Sequence, residues 1–470
     1  MDYRNFILGA YQSQSPLAAC QQVINWYPEA METPGARNQY ALYPTPGQET
    51  FLTTTDIGSR GMLTIADRTH GVTGSGAYEF FETGMATKRG TVAVDKNPAG
   101  MTYNGLAGNQ LLISSGGLLY YLDLASNTVT AVTGTSATSF THVGMVDGFF
   151  CALDVDSNRI FVSPLNDAGA VWDITQFIQR TTQPDPWKAM VVIPPDIWAI
   201  GELTGDVLYD AGTSPFPLAP RPGITFRYGI IAPFSIASIG NTVLWLARDK
   251  DGAGVVVQTR GYQPQPISNK ALETEISNYA RTSTITDAEG WTYQQEGHQF
   301  YVLNFPSVPA TWAFDTSTSM WSRRGTWNPE VNDFDVWSPR THTYAFGRHL
   351  VGDRTSGRLS VLDVTFGTES NGDAIRRVLV PAPLWCDPNE QRLYMSRFEV
   401  ILQNGLGTQT GQGSAPVAML ETSHDAVTWS NQRTCSAGRA GQYMNRVFWL
   451  RNGASTLLWV PRLTVSDPIP

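Results

Sequence analysis

Six histidines, His70, His142, His298, His342, His349 and His424, are the side chains of this 470-residue chain best suited to proton transfer or metal ligation. None lies in a G-x-S-x-G or H-E-x-x-H context. Their surroundings therefore supply neither the nucleophile turn of a hydrolase nor the paired ligands of a zinc protease. His342 and His349 are seven apart in a strand-like stretch. Odd spacing along a strand sends side chains to opposite sides, so no metal pair is expected there. His298 follows Gly297 and reads as a turn residue.

The carboxylates lead to the same place. A glycosidase needs two acids at a set separation. Asp249, Asp251 and Asp353 instead sit in turn-like Gly/Asp contexts, and the alternating ligands of a calcium loop are incomplete. Gly405-Leu406-Gly407 is not followed by a helix, so nothing there would aim N–H groups at a phosphate. The segment from Ser423 to Trp429 resembles the Asp-box hairpin of sialidases, S-x-D-x-G-x-T-W, but is one residue short and lacks the Gly. Even in a complete Asp-box the Asp organises a turn. The sequence predicts no catalytic residue, no metal site and no cofactor.

The elements that would hold any site are strands. A turn followed by β-forming apolar residues recurs roughly every 45 residues, the spacing of a propeller blade. The openings are Gly61, Asn109, Asp147, Asp196, Gly240, Gly297 and Thr341. Several units share a second half, in which a strand ends in Asp and a Thr/Ser/Asn turn follows: Leu119–Asp123, Thr311–Asp315 and Leu359–Asp363. This pattern is similar to kelch and related blades. It predicts an all-β chain whose residues 61–375 form a β-propeller of seven blades, or six if one unit is an insertion. Closure of such a ring leaves only short edges exposed.

Residues 1–60 are irregular and proline-rich, with Pro28, Pro34, Pro44 and Pro46. They read as an extended strap anchored by aromatics such as Trp26 and Tyr27, which either closes the ring or reaches a neighbour. The longest interval, Gly240 to Gly297, holds a helix from about Lys270 to Arg281, capped by Ser268 or Asn269. Leu272, Ile276 and Tyr279 share one of its faces and are expected against a partner or the disc edge. Glu273 and Glu275 are expected to be solvated. After Arg376 and Arg377 the pattern changes: Phe398, Val400 and Leu402 alternate with Glu399, Ile401 and Gln403. Evenly spaced strands then predict a β-sandwich over 376–470. Trp26, Tyr27, Leu272, Ile276, Tyr279, Arg376 and Arg377 are the candidate interface residues.

Composition narrows the function classes. No apolar run reaches the length of a membrane span, and Met1–Ala10 lacks the pattern of a secretory signal. Cys20, Cys151, Cys386 and Cys435 form no CxxC pair, as expected for reduced thiols of a protein made in the cytosol. A net charge of −9 disfavours a general nucleic-acid surface. The basic residues are 27 Arg and only 5 Lys. With 14 Trp, that is a composition favoured at protein interfaces.

A family resemblance joins these readings. Asn25-Trp26-Tyr27-Pro28-Glu29, Pro46-Gly47, Arg60-Gly61, Gly201–Gly205, Gly261–Pro264, Gly297–Tyr301, Thr311-Trp312 and Gly352-Asp353 occur in order along most of the chain. In that order they resemble the packaged-DNA stabilisation, or tail-hub, proteins of short-tailed bacteriophages. The resemblance implies a virion protein, made in the host cytoplasm, that forms a ring of six copies below the portal and its adaptor. Such a ring retains packaged DNA and carries a tail needle, fibres or spikes. It implies no catalytic residue. An acidic lumen would let DNA pass without sticking, since phosphate contacts come mainly from Lys and Arg. The competing reading is a propeller-type glycan-binding protein or tail depolymerase, which needs converging carboxylates and aromatic platforms at one mouth of the disc.

Overall fold

The computed structural model describes residues 6–33, 39–181, 183–214, 216–248, 252, 254–387 and 392–469. Among them, seven antiparallel sheets follow one another around an axis. Blades 1 to 6 span residues 59–91, 100–131, 140–179, 187–226, 229–266 and 289–324. Blade 7 takes its three inner strands from 339–363. The innermost strands of successive blades touch, and blade 7 touches blade 1, so the ring is closed. Seven is therefore the count, and no unit was an insertion mistaken for a blade.

The blades form for local reasons. Two-residue turns with positive φ at both positions match the right-handed twist of a hairpin. Asp147-Gly148 (φ 47° and 87°) supplies one between Phe140–Val146 and Phe149–Asp154. Second strands such as Phe149–Asp154 are buried on both faces, because each blade packs between two others. They consequently read as continuous apolar runs. Third strands end in the expected aspartates. Asp123 accepts from Ala125 N at 2.9 Å and Asp315 from Ser317 N at 2.9 Å, each starting the turn to the outer strand.

Much of what is described before blade 1 forms strands that pair with distant parts of the chain. Gly47–Thr53 pairs antiparallel with Arg358–Asp363 and is the outer strand of blade 7, so the start of the chain closes the ring. Cys20–Ile24 pairs with Arg377–Val380 of the second domain. It also meets the outer strand of blade 6 in parallel, Ile24 beside Arg323. Trp26–Ala30 and Tyr40–Pro44 form a hairpin between these two. Pro34 and Gly35 of the expected strap lie outside the described residues.

The second domain is a sandwich. One sheet contains Cys20–Ile24, Arg377–Val380, Leu458–Val465, Val417–Ser423 and Arg433–Ser436 in that order. The facing layer pairs Arg397–Val400 with Val447–Leu450 and Leu393–Tyr394 with Ala454–Ser455. Val23, Leu379, Phe398, Trp449, Trp459 and Leu463 fill the space between. Phe398 faces inward and Glu399 and Ile401 outward, following the alternation in the sequence. Through Cys20–Ile24 this sheet is continuous with blade 6, so propeller and sandwich share a β-ladder.

The helix runs Lys270–Thr282, with the Asn269 side chain accepting from Leu272 N at 2.9 Å. It lies between blades 5 and 6. Leu272 and Ile276 pack among Leu246, Val256, Tyr301 and Trp312. Full burial of each contributes about 1.5–3 kcal/mol, which holds a helix too short to persist alone. Glu275 departs from expectation: it is half-buried, and burial raises its pKa.

Candidate functional site

Several of the residues capable of chemistry are engaged in structural contacts. His298 is buried with Nδ1 2.8 Å from Asp315 Oδ2, and Tyr27 stands edge-on to its ring. Asp315 also accepts from Ser317 N and Thr318 Oγ1 in the turn that follows it, so the pair ties the start of His298–Phe305 to the turn between the third and fourth strands of blade 6. Asp425 accepts from Val427 N, Thr428 N, Thr428 Oγ1 and Ser423 Oγ. These donors hold its carboxyl well below the usual range. It organises the shortened Asp-box as a turn. Asp249 and Asp251 lie outside the described residues.

His342 and His349 correct the sequence reading. The Phe346-Gly347 turn folds Pro339–Ala345 back on Arg348–Asp353. Residues seven apart then sit on neighbouring strands, and the odd-spacing argument holds only within one strand. His342 Nε2 lies 3.0 Å from His349 Nδ1. His342 also stacks on Trp291, and burial lowers its pKa to about 3. Among the described residues no group of three or more His, Cys, Asp or Glu is placed to hold a metal ion.

His142 belongs to the inner strand of blade 3, yet it reaches past blade 4 to blade 5. Its Nε2 is 3.1 Å from the Pro233 carbonyl, and its ring stacks on Phe234 at 5.1 Å. Burial lowers its pKa to about 4. The Pro233–Ser235 turn also receives Tyr301 Oη, donating to Ser235 O at 2.7 Å. The approach is close: a Cβ on Gly290 would stand 2.1 Å from Ser235 O. The Pro233–Ser235 turn thus links blades 3, 5 and 6.

The candidate interface residues are largely covered within the chain. Trp26 lies in the sandwich core and Tyr27 between blades 6 and 7. Leu272 and Ile276 are fully buried, and Tyr279 packs beside them, edge-on to Phe305. Arg377 is 2% exposed and donates to Ile469 O at 2.9 Å. Arg376 is half-buried and stacks on Trp327, its guanidinium carbon 3.9 Å from the ring centroid. None of the fully buried ones offers a free surface to a neighbour. Aromatic and Arg richness marks desolvated contacts, and here those contacts lie between the chain's own domains.

The same holds for part of the arginine excess. Arg60 is buried and donates to Gly74 O, Ala93 O, Asn97 O and Ser115 Oγ, and it is ion-paired with Asp95, joining blades 1 and 2. Arg324 is enclosed by Tyr293, Phe300 and Trp337, 4.8–5.3 Å from their ring centroids. Sequence reasoning missed Arg324 as a core residue, although its place three after the inward Trp321 lies in a strand with buried neighbours. Glu369 was missed too. It is fully buried at the seam, accepts from the Gln48 amide at 2.7 Å, and burial raises its pKa to about 8. No helix among the described residues is long and apolar enough to cross a membrane.

Two family patterns match the chain. That of the bacteriophage P22 Gp10 β-propeller matches residues 6–367, and that of the bacteriophage P22 Gp10 β-sandwich matches residues 384–470. No curated protein sequence matches. Among solved structures, virginiamycin B lyase from Staphylococcus aureus is 9% identical with a TM-score of 0.46, over 68% of this chain and 98% of that one. BamB from Moraxella catarrhalis is 11% identical with a TM-score of 0.36, over 64% of this chain and 93% of that one.

Proposed function

The chain belongs to the family of bacteriophage P22 Gp10, and from that premise we propose that it is the tail hub of a short-tailed phage. Membership makes it a structural protein of a phage virion. As a tail hub it forms a homohexameric ring below the portal and adaptor. There it retains packaged DNA and attaches a needle, fibres or spikes. The single observation that carries this is the match of both domains, in order, over residues 6–367 and 384–470.

Physical features support the reading. A particle part must survive for long periods and bear load. One β-ladder runs from blade 6 into the sandwich, and the ring is sealed by a strand from the other end of the chain. His298, His342, His349 and Asp425 are engaged in a carboxylate tie, a cross-strand pair and a turn. The net charge of −9 suits a lumen that repels phosphate.

The test is removal of the gene from a phage that encodes the chain. The proposal expects filled heads that lose DNA and lack needle or fibres, and restoration when the chain is supplied. Particles that keep their DNA and complete tails without it would contradict the proposal. So would cleavage of a bacterial polysaccharide by the purified chain, which is the expectation of a depolymerase.

A further inference from the structure

Charge divides unevenly between the domains. Residues 376–470 carry nine arginines and six carboxylates, whereas the remainder carry 23 basic and 35 acidic side chains. The loops 401–416 and 437–446 contain Arg439 and Arg446 and no carboxylate of their own, and Arg446 is paired with Glu399 of the preceding strand at 2.7 Å. They lie side by side: Gly441 N donates to Gly405 O, and Asn404 Nδ2 donates to Asn445 O. Ile401, Tyr443 and Met444 project from them, Met444 being 93% exposed. Large apolar side chains standing clear of the surface in a cluster mark a docking surface. Arginine and tyrosine beside them are the residues favoured at such contacts.

A surface of opposite character lies on the propeller. The face formed by the first and third turns of blades 2 to 4 carries Asp147, Asp167, Asp173 and Asp210. The turns there, 104–109, 147–148, 163–176 and 211–217, contain no basic residue. Leu106, Leu165, Val171 and Ile174 are exposed on it. The turns of blades 2 and 3 are fastened together, with Ala168 N donating to Gln110 Oε1 at 2.6 Å and Asn104 Nδ2 to Asn166 O. Between blades 3 and 4 this face opens into a groove of about 360 Å³, lined by Phe149, Val162, Pro164, Val171 and Pro217, with Asp173 at its rim.

We propose that the Tyr443–Met444 tip of one copy docks in the blade 3–blade 4 groove of a second copy, with Arg439 facing Asp173. The occupant is a second copy because this chain itself supplies both halves: an exposed apolar tip beside Arg439, and a groove with apolar walls that holds Asp173 on a face carrying three more aspartates. The sandwich is joined to blade 6, while the groove is two blades away at blade 4, and both surfaces are solvent-exposed in the single chain. The contact is consequently head-to-tail, the kind whose repetition gives a ring when the rotation closes. The inference rests on the assembly reading above and names the surfaces that carry it.

The test uses the full chain in phage particles, with the variants M444C and V171C, alone and combined. Both positions are exposed, so the folded chain should melt as the parent does. Oxidation of particles carrying the double variant should give a ladder of covalent multimers of this chain. The single variants, which keep the native cysteines, should not. D173R should abolish the ladder, and R439D placed with D173R should restore it. Particles that contain the chain but give no ladder would overturn the docking and leave the virion reading standing. So would cross-links to a different protein, or equal ladders from a single variant. Absence of the chain from particles would overturn both.

Discussion

Gly47 lies opposite Asp363 across the seam of the propeller, so a strand from the first tenth of the chain completes the last of seven blades. A Cβ on Gly47 would stand 2.3 Å from the Phe366 carbonyl oxygen and 2.8 Å from that of Thr368. Both are backbone atoms and cannot swing aside. Gly47→Val is expected to destabilise the chain by roughly 1–3 kcal/mol, the usual cost of overpacking. Urea denaturation measures it. A variant as stable as the parent would mean that the seam is looser than described.

Asn25 joins the two domains. Its side chain donates to Gly325 O at 2.9 Å and Arg376 O at 2.8 Å and accepts from Gly325 N at 3.0 Å, and its φ is 57°. Asn25→Gly keeps the left-handed backbone but strands these buried partners. A loss of about 1–3 kcal/mol is expected. Hydrogen exchange should quicken in both Met320–Arg324 and Arg377–Val380, and quickening in only one would contradict the shared ladder.

Stability should depend on pH through buried groups. Burial raises Glu369 to about 8 from 4.5, with Asp353 and Asp373 adding and Arg377 opposing. The native state then holds a proton that the unfolded chain releases, so this contribution is full below about 4.5 and is lost as pH rises through about 8. Relative to the parent, Glu369→Gln should gain stability steadily from pH 5 to 8. A constant difference would refute the assignment. His142 (about 4) and His342 (about 3) act oppositely. Being neutral in the fold, they stabilise above the unfolded value of 6.5 and lose that contribution as pH falls below it.

Arg324 is held by ring faces. A planar guanidinium suits Tyr293, Phe300 and Trp337 together, and a compact ammonium does not. Arg324→Lys should cost about 2 kcal/mol, the size of a desolvated cation–π contact, read as a lowered midpoint in thermal or urea unfolding. Equal stability would show that charge alone suffices.

The blades were legible because each repeats its own local signals, a turn and an apolar run. Five of the seven openings fall at second strands, and Gly61 and Thr341 fall within first strands. In blades 1 and 7 the second strands, Arg68–Thr73 and Arg348–Asp353, begin with charge and hide the pattern. The helix was legible from Asn269 and the Leu272–Ile276 spacing. What stayed hidden was long-range. Nothing near Gly47 or Cys20 in sequence announces partners more than 300 residues away. The spacing of His342 and His349 misleads because nothing in it marks the Phe346-Gly347 turn between them. Tyr27 and Arg377 are of types favoured at interfaces, but residue type reports desolvation and not which chain provides it.

The central claim is that this chain is a mechanical part of a phage tail. Electron cryomicroscopy of the particle that encodes it tests this most directly. The account predicts a ring of density below the head in which each copy shows a seven-bladed propeller continuous with a sandwich. A mature particle whose tail contains no such density would contradict it.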